Sequence, residues 1–312
     1  MKKKKKNLIF SILFLSFFLF SCVTPAKNLV PVPDTKNGKV EEENSSVVNE
    51  NTVSEFREKL DWAEILPGIE YSTFVYEKAE IHCLKTSLSP NKCELDLNFR
   101  IPDDKVDLPV NCFLGKSVKE LAENKGFIGA VNGTPFYSRN SENCDVLSLF
   151  NPLRQCAGIL YYSGVLYSPG IPGYDMLVVS YDMDCRIMDQ EEEIPSGTFF
   201  ALGGFWQVLK DGVIQEFNDI LDSRTFAGFN DSGEFFLLVA EGEPLSGSGG
   251  LSFENSGKLL RSLGCTQGIQ LDGGSSSSFV LRTEKGEYER KNFSLFPGGV
   301  KVVNCIGIKY TD

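Results

Sequence analysis

The chain has 312 residues, of which 42% are hydrophobic and 23% charged, so it can bury a core and is not disordered throughout. Its 31 basic and 42 acidic residues give a formal net charge of −11, which disfavours general nucleic-acid binding because an acidic surface repels phosphate backbones. The chain has one histidine, His82, and nine cysteines without a Cys-x-x-Cys pair. These counts exclude a multi-histidine zinc site and argue against zinc ribbons and thioredoxin-like redox chemistry.

The first 22 residues resemble a bacterial lipoprotein signal. Residues 2–6 are all lysine, and residues 8–20 are apolar apart from two serines, a run shorter than the roughly 20 residues that cross a bilayer as a helix. The segment ends in Leu19-Phe20-Ser21-Cys22, so we predict a signal peptide at 1–21 and lipidation of Cys22. An ordinary secretory signal is the alternative. The lipoprotein reading predicts a lipid-anchored protein of the cell envelope, outside the cytoplasm.

Export would change how the other eight cysteines are interpreted. An even number of cysteines outside the cytoplasm is typical of disulfides, so we expect up to four. Cys83 and Cys93 flank a turn-like Ser-Pro-Asn sequence and could close a hairpin as one pair. The alternative is that several cysteines remain buried thiols.

Residues 22–53 are predicted to form a disordered tether. They contain three prolines, the run Glu41-Glu42-Glu43 and few large apolar side chains, so they cannot bury enough surface to offset the entropy of ordering. The remaining residues, 54–312, fit a single domain without a detectable internal repeat.

Within that domain, β-branched and aromatic runs predict strands, and capping residues predict helices. Ser117 and Glu120 form a capping box closed by Gly126, and Ser252 caps a second helix that ends at Gly264. In chain order we predict a helix near 56–65, strands at 69–76, 79–85 and 93–100, a helix at 118–125, strands at 176–181 and 235–240, a helix at 253–263 and a strand at 300–310. Strands with interspersed helices indicate an α+β fold with a mixed or antiparallel sheet.

The segment 268–279 carries the strongest sign of chemistry. A strand ends at Leu271, a carboxylate follows at Asp272, and two glycines would let a ligand approach the backbone closely. Four serines then supply hydroxyl and amide donors of the kind that bind phosphate or sugar. The alternative is a glycine-serine turn without a function.

The sequence Leu-Asp-Gly-Gly-Ser-Ser at 271–276 resembles the signature of the phosphodiester glycosidase family. Further elements resemble that family in its order, over roughly residues 66–310. They are Leu-Pro-Gly-Ile-Glu-Tyr at 66–71, Ala-Val-Asn-Gly-Thr-Pro-Phe at 130–136, Ser-Arg-Thr-Phe-Ala-Gly-Phe at 223–229, Val-Ala-Glu-Gly at 239–242, Gly-Gly-Leu-Ser-Phe at 249–253 and Val-Asn-Cys-Ile-Gly-Ile at 303–308.

The resemblance implies hydrolysis of a sugar-1-phosphodiester, such as a GlcNAc-1-phospho-linked glycan or glycolipid. The leaving group is a phosphate monoester, already stable as an anion, so less general-acid help is needed than for an ordinary glycoside. Asp272 is the candidate carboxylate, acting as nucleophile or as base on water, and Glu241 is its partner. Arg224 is the candidate phosphate clamp, since guanidinium can meet phosphate through two parallel bonds. Without the resemblance, Arg224 is equally well a salt-bridged residue on a strand and Glu241 a turn carboxylate.

Other residues of these motifs are predicted to contact the substrate, and two rival functions stay open. The predicted contacts to sugar hydroxyls or phosphate oxygens are Asn132, Gly133, Gly273, Gly274, Ser275 and Ser276. No cofactor is indicated, although a divalent cation such as calcium is compatible with the sequence. The rivals are a non-catalytic phospho-glycan-binding lipoprotein or adhesin, and a metal phosphodiesterase that cuts the other P–O bond. His82 is interpreted as structural, and the acidic stretch 182–193 as a surface loop.

Overall fold

Antiparallel strands make up most of the structure, a computed structural model that describes residues 50–102, 111–138 and 153–311. These residues belong to one of the two units into which the chain divides, residues 43–312. They form 21 strands in four sheets and three α-helices, and each pairing among them is antiparallel. The antiparallel sheet expected from the sequence is confirmed, and the expected α+β class is corrected to a sheet-rich fold.

The elements follow one another closely along the chain. The helices are α1 (Glu50–Arg57), α2 (Val118–Lys125) and α3 (Phe253–Ser262). The strands are β1 (Ala63–Leu66), β2 (Ile69–Tyr76), β3 (Ala79–Ser87), β4 (Cys93–Phe99), β5 (Cys112–Leu114), β6 (Gly129–Asn132), β7 (Phe136–Ser138), β8 (Leu153–Cys156), β9 (Leu160–Tyr162), β10 (Val165–Ser168), β11 (Asp175–Ser180), β12 (Cys185–Asp189), β13 (Thr198–Gly203), β14 (Gln207–Lys210), β15 (Val213–Ile214), β16 (Arg224–Phe229), β17 (Glu234–Ala240), β18 (Gln267–Gln270), β19 (Phe279–Arg282), β20 (Tyr288–Arg290) and β21 (Asn304–Tyr310).

An eight-stranded sheet in the order β1-β2-β3-β17-β16-β18-β14-β15 is the largest layer. Its central strands β16 and β17 are buried on both faces, which explains why β17 is an almost continuous apolar run without alternation. The other sheets are β10-β9-β13-β11-β12, β20-β19-β6-β21-β4 and β5-β8-β7.

Two hydrophobic layers lie on the two faces of the large sheet. On one face, which we call the core face, Leu84, Val239 and Ile269 pack with residues of the two five-stranded sheets, such as Phe279 and Leu202. On the other face, which we call the helix face, buried residues of β16 and β17 pack against α3, with Phe56 of α1 beside them. Helix α2 covers the third sheet separately. The alternation of β16 and β17 therefore decides which face each side chain reaches.

Helices α2 and α3 form where their capping residues predict them. The Ser117 side chain accepts a hydrogen bond from the Glu120 amide, the Glu120 side chain accepts one from the Ser117 amide, and Gly126 takes a left-handed conformation after α2. Ser252 caps α3 through the Asn255 amide. The helix predicted near 56–65 is wrong. Helix α1 ends at residue 57, and residues 63–66 instead pair with β2 across a turn at Gly68, so strand pairing overrides the local helix signal.

No disulfide joins two cysteines of the described residues, so the disulfide prediction is corrected there. Cys83 lies opposite Leu238 in the large sheet, whereas Cys93 lies opposite Tyr310 in another sheet, so these two cannot close a hairpin. Burial raises the pKa of the Cys83 thiol well above its ordinary value. Cys144 lies outside the described residues.

The predicted signal peptide, Cys22 and nearly all of the predicted tether also lie outside the described residues. Among the helices of residues 50–102, 111–138 and 153–311, none is both long and apolar enough to span a membrane.

Candidate functional site

Four segments of the large sheet meet at one end of its central strands. Arg224, the first residue of β16, pairs with Ala240, the last residue of β17, and Ala240 also pairs with Ile81 near the start of β3. The last residue of β18, Gln270, pairs with Phe226. Residues 80–82, 222–224, 241–243 and 271–274 therefore lie along one end of four neighbouring strands. We call this region the strand-end site.

Asp272 is fixed by backbone hydrogen bonds just beyond β18. Its amide donates to the Gly133 carbonyl over 3.0 Å, and its carbonyl accepts from Asn132 Nδ2 over 2.8 Å. Asn132 Oδ1 in turn accepts from Thr225 Oγ1 at 2.8 Å and from the Ser278 amide at 3.0 Å. Asn132 is fully buried, so it holds the Asp272 segment in place and does not present its amide to a ligand.

The glycines and serines after Asp272 form a tight turn against β16. Gly274 begins a short 3-10 turn with a positive φ of 58°, and its amide donates to the Ser223 carbonyl over 2.8 Å. A Cβ on Gly273 would lie 2.9 Å from that same carbonyl oxygen, so the backbones approach here as the two glycines predict. Ser275 is half-buried on this turn, and Ser276 is buried.

The environment of Asp272 favours its protonated form. Burial raises the pKa of the carboxyl from 3.8 to about 7, although hydrogen bonds from the Ser276 side chain and the Gly273 amide oppose the rise. The negative charge of Asp222 raises the pKa further. Asp222 itself accepts from the Ser223 amide at 2.8 Å, and burial also raises the pKa of this carboxyl.

Glu241 is the second candidate catalytic carboxylate, and it makes a buried contact with His82, the one histidine of the sequence. His82 Nε2 lies 3.1 Å from Glu241 Oε1, and the same oxygen accepts from the Phe293 amide at 2.7 Å. On its other side, His82 Nδ1 lies 2.9 Å from the Tyr71 hydroxyl. In a neutral imidazole, a hydrogen bond donated from Nε2 to the carboxylate leaves Nδ1 to accept from the Tyr71 hydroxyl. The interpretation of His82 as merely structural therefore misses its contact with a candidate catalytic carboxylate.

Glu243 adds another buried carboxylate two residues after Glu241. Its Oε2 accepts from the Leu295 amide at 3.0 Å, whereas its buried Oε1 has no hydrogen-bond partner in the described part of the chain. Burial raises the pKa of Glu243, the hydrogen bond from the Leu295 amide and the charge of Arg290 oppose the rise, and the charges of Asp222 and Glu241 add to it. Four carboxylates thus lie close enough along this edge for neighbouring members to interact: Asp272, Asp222, Glu243 and Glu241.

Arg224 leaves the sheet on the helix face. Its Nη2 donates to Asp219 Oδ2 at 2.8 Å and to the Ile220 carbonyl, and its Nε donates to the Leu251 carbonyl at 3.0 Å. The guanidinium stacks on Phe253 with 4.1 Å between the central carbon and the ring centre.

These contacts reduce the number of Arg224 N–H groups that are available to bind phosphate. They use three of the five guanidinium N–H groups, so two parallel bonds from neighbouring nitrogens to a phosphate would require breaking existing bonds. Glu241 and His82, by contrast, lie on the core face, where His82 packs on Phe279.

The structure therefore brings the segments of the three predicted catalytic residues to one edge of the large sheet. Only the two carboxylates lie in the row of acidic side chains, whereas the arginine points to the other face. Asp272 and Glu241 belong to a row of carboxylates, and Arg224 is held mainly by an ion pair and two carbonyls. Sequence reasoning missed Asp222, Glu243 and the His82–Tyr71 pair. A signal for two of them was present, because Asp222 and Glu243 each lie two residues from a motif residue that was chosen.

A separate open cleft lies at the far end of β17 from this site. Arg57, Trp62, Lys85 and Glu234 line it. Its two cations are paired, since Arg57 binds Glu234 and Lys85 binds Glu70, whereas Glu58, which also lines the cleft, forms no ion pair within the described residues. The cleft therefore holds two pairs of opposite charges, unlike the row of carboxylates at the strand-end site.

Comparisons with known proteins identify a family for this chain. The family model described as phosphodiester glycosidase matches residues 125–309. No curated protein matches the chain.

Solved structures show the likeness of fold alone, because the identities are low. The chain is similar to the zebrafish N-acetylglucosamine-1-phosphodiester alpha-N-acetylglucosaminidase catalytic domain, auto-inhibited by its pro-peptide, with 15% identity and a TM-score of 0.56 over 81% of this chain and 83% of that one. It is also similar to a hypothetical protein from Synechocystis, with 13% identity and a TM-score of 0.56 over 80% of this chain. The match spans 63% of the Synechocystis protein, less than two thirds of its length.

Proposed function

The chain belongs to the phosphodiester glycosidase family, and on that premise we propose that it hydrolyses a sugar-1-phosphodiester, such as a GlcNAc-1-phospho-linked glycan. We place this activity at the cell envelope, where a lipid anchor on Cys22 would hold the protein. One observation carries the proposal. Asp272 and Glu241, chosen from separate motifs, lie beyond the ends of β18 and β17 at the same edge of one sheet.

The carboxylates suit attack at the anomeric carbon. Asp272, with a pKa raised to about 7 by burial, is present in both protonation states near neutral pH. Its ionised form would attack the sugar carbon or remove a proton from water, and the departing phosphate monoester needs little protonation. The fixed backbone around Asp272 would hold this carboxylate in place during the reaction.

The Glu241–His82 pair would serve as the second ionisable group. Glu241 Oε1 is held by two donors, so the direction of its carboxylate is set before substrate arrives. Tyr71 and Phe279 hold the imidazole ring from its other sides. Arg224 can still bind phosphate through Nη1, which makes no hydrogen bond within the described residues.

The test is hydrolysis of GlcNAc-1-phosphate methyl diester and a GlcNAc-1-phospho-mannose diester by purified wild-type protein and Asp272→Asn. We expect wild-type turnover and an about 10²- to 10⁴-fold lower kcat in the variant, with binding of the diester retained. Asp182→Asn is the matched control, because it makes the same change at an exposed carboxylate beyond β11 and should keep full activity.

Two results would contradict the proposal. One is an Asp272→Asn variant as active as the control. The other is wild-type protein that binds a diester without cleaving any of those offered, which is the result expected of a phospho-glycan-binding protein.

A further inference from the structure

Three side chains with metal-ligand atoms lie together on the core face of the large sheet. Glu80 and His82 are two residues apart on β3, so they lie on the same face of that strand. Glu241 follows β17, and its amide donates to the Glu80 carbonyl over 2.8 Å, which places it beside them. We call Glu80, His82 and Glu241 the three-ligand cluster.

The distances within the cluster suit one cation. One ligand atom from each residue lies within 4.8 Å of the others, and His82 Nε2 is 3.1 Å from Glu241 Oε1. Two ligands bound at about 2.0–2.2 Å to one Zn²⁺ lie roughly 3 Å or slightly more apart, so this pair is already close to the required spacing. Glu80 is exposed, so its carboxylate can turn toward a bound ion without disturbing the core.

The surroundings of His82 also resemble those of a metal-bound imidazole. A metal-ligating histidine usually has its second ring nitrogen hydrogen-bonded, which fixes the ring and its tautomer. Here Tyr71 lies 2.9 Å from Nδ1, and Phe279 packs against the ring. A cation at Nε2 would replace the hydrogen bond from Nε2 to Glu241, leaving the Phe293 amide as a donor to Glu241 Oε1. The ring proton would then sit on Nδ1, where it can be donated to the Tyr71 oxygen.

A second, independent observation is the negative charge beside the cluster, on which Arg290 acts from a distance without forming an ion pair in the described residues. Glu243 Oε1 is buried without a hydrogen-bond partner among the described residues, and Glu243 is close enough to Glu241 for their charges to interact. Across the described ranges, no lysine or arginine comes within 4.0 Å of the carboxylates of Glu241, Glu243, Asp222 or Asp272. Arg224, the nearby cation chosen from the sequence, is turned to the helix face and ion-paired with Asp219.

We propose that Glu80, His82 and Glu241 bind one divalent cation of the first transition series, for which Zn²⁺ is the probe. One imidazole and two carboxylates form a mixed nitrogen and oxygen donor set that suits Zn²⁺ better than Mg²⁺ or Ca²⁺, which prefer oxygen ligands alone. Three protein ligands leave a coordination position for water or a substrate oxygen.

The cation has a consequence for the substrate, and this part rests on the proposed function. A phosphodiester is an anion, and a row of carboxylates repels it unless positive charge is added. A bound cation supplies that charge on the same face as Glu241. Binding of the cation itself does not depend on which reaction the protein catalyses.

The test is Zn²⁺ binding to EDTA-stripped full-length protein, measured by isothermal titration calorimetry. We expect one Zn²⁺ per chain in the wild type and an at least tenfold weaker affinity in Glu80→Gln. The side chain of Glu80 is exposed, so this change should leave the free energy of unfolding within about 0.5 kcal/mol of the wild type. Tyr71→Phe should weaken binding about 10- to 100-fold, because it removes the partner of Nδ1 while leaving all three ligands. Glu77→Gln, an exposed carboxylate on the same hairpin, is the control and should bind like the wild type.

Absence of stoichiometric Zn²⁺ binding in the wild type, or equal affinities for wild type and Glu80→Gln, would overturn the proposal. Tight Ca²⁺ binding without Zn²⁺ binding would do the same, since it would not use the imidazole. The diester assay separates the two proposals. Full hydrolysis by protein that binds no Zn²⁺ removes the cation site only, and Zn²⁺ binding without hydrolysis of any diester removes the proposed reaction only.

Discussion

The raised pKa of Asp272, which suits it to catalysis, also lowers the free energy of unfolding at neutral pH. Its pKa is raised from 3.8 to about 7, chiefly by burial, so the folded protein keeps this proton over a pH range in which the unfolded chain has lost it. Between about pH 4 and pH 7 the native state therefore binds more protons than the unfolded state. The contribution of Asp272 to the free energy of unfolding falls as pH rises through this range and is constant above it.

The Asp272→Asn variant tests this linkage. Asparagine carries no charge, so the variant should gain stability relative to the wild type as pH rises from 4.5 to 8, by on the order of 1–2 kcal/mol for a half-buried carboxylate. Urea unfolding of both proteins at the two pH values measures the difference, with Asp182→Asn as the surface control. A variant whose relative stability is the same at both pH values would show that the carboxyl of Asp272 titrates normally.

At the scale of elements, helix α3 lies very close to β14 because Gly257 has no side chain at the point of contact. A Cβ on Gly257 would lie 2.4 Å from the Val208 carbonyl oxygen, which is a backbone atom that cannot turn aside. This close approach helps to place the Ser252 cap and the Leu251 carbonyl, which Arg224 binds.

Gly257→Ala should therefore destabilise the protein, although alanine normally favours a helix over glycine by about 1 kcal/mol. We expect a loss of roughly 1–3 kcal/mol in the free energy of unfolding, because the helix must move off the sheet to relieve the overlap. Urea denaturation checks the value, and Lys258→Ala, an exposed change on the next residue, should alter it by less than about 0.5 kcal/mol. A neutral or stabilising Gly257→Ala would mean that the helix is not held by this contact.

Local signals explain which elements the sequence predicted. Helix α2 has the predicted boundaries because Ser117, Glu120 and Gly126 act within a few residues of one another. The helix predicted near 56–65 failed because residues 63–66 gain more from pairing with β2 than from a helical turn, and that pairing is a tertiary interaction. Asp272 was recognisable because a strand, a carboxylate and two glycines are adjacent in sequence.

The rest of the site depends on the whole molecule. His82 and Glu241 are 159 positions apart, and they meet only because β3 pairs with β17 in a particular register. The face on which Arg224 leaves the sheet likewise follows from its alternation with Thr225, and the side that faces the helices is set by the overall topology. A family motif can indicate such residues, but neither composition nor local spacing gives their partners.

The central claim is that the bond between the sugar carbon and oxygen is broken, and the oxygen of water reports this directly. Wild-type protein is allowed to hydrolyse GlcNAc-1-phosphate methyl diester in ¹⁸O-labelled water, and the methyl phosphate product is analysed by mass spectrometry. We expect unlabelled methyl phosphate, because water or the carboxylate attacks the anomeric carbon. Methyl phosphate or sugar phosphate that carries ¹⁸O would show cleavage at phosphorus and would contradict the glycosidase account.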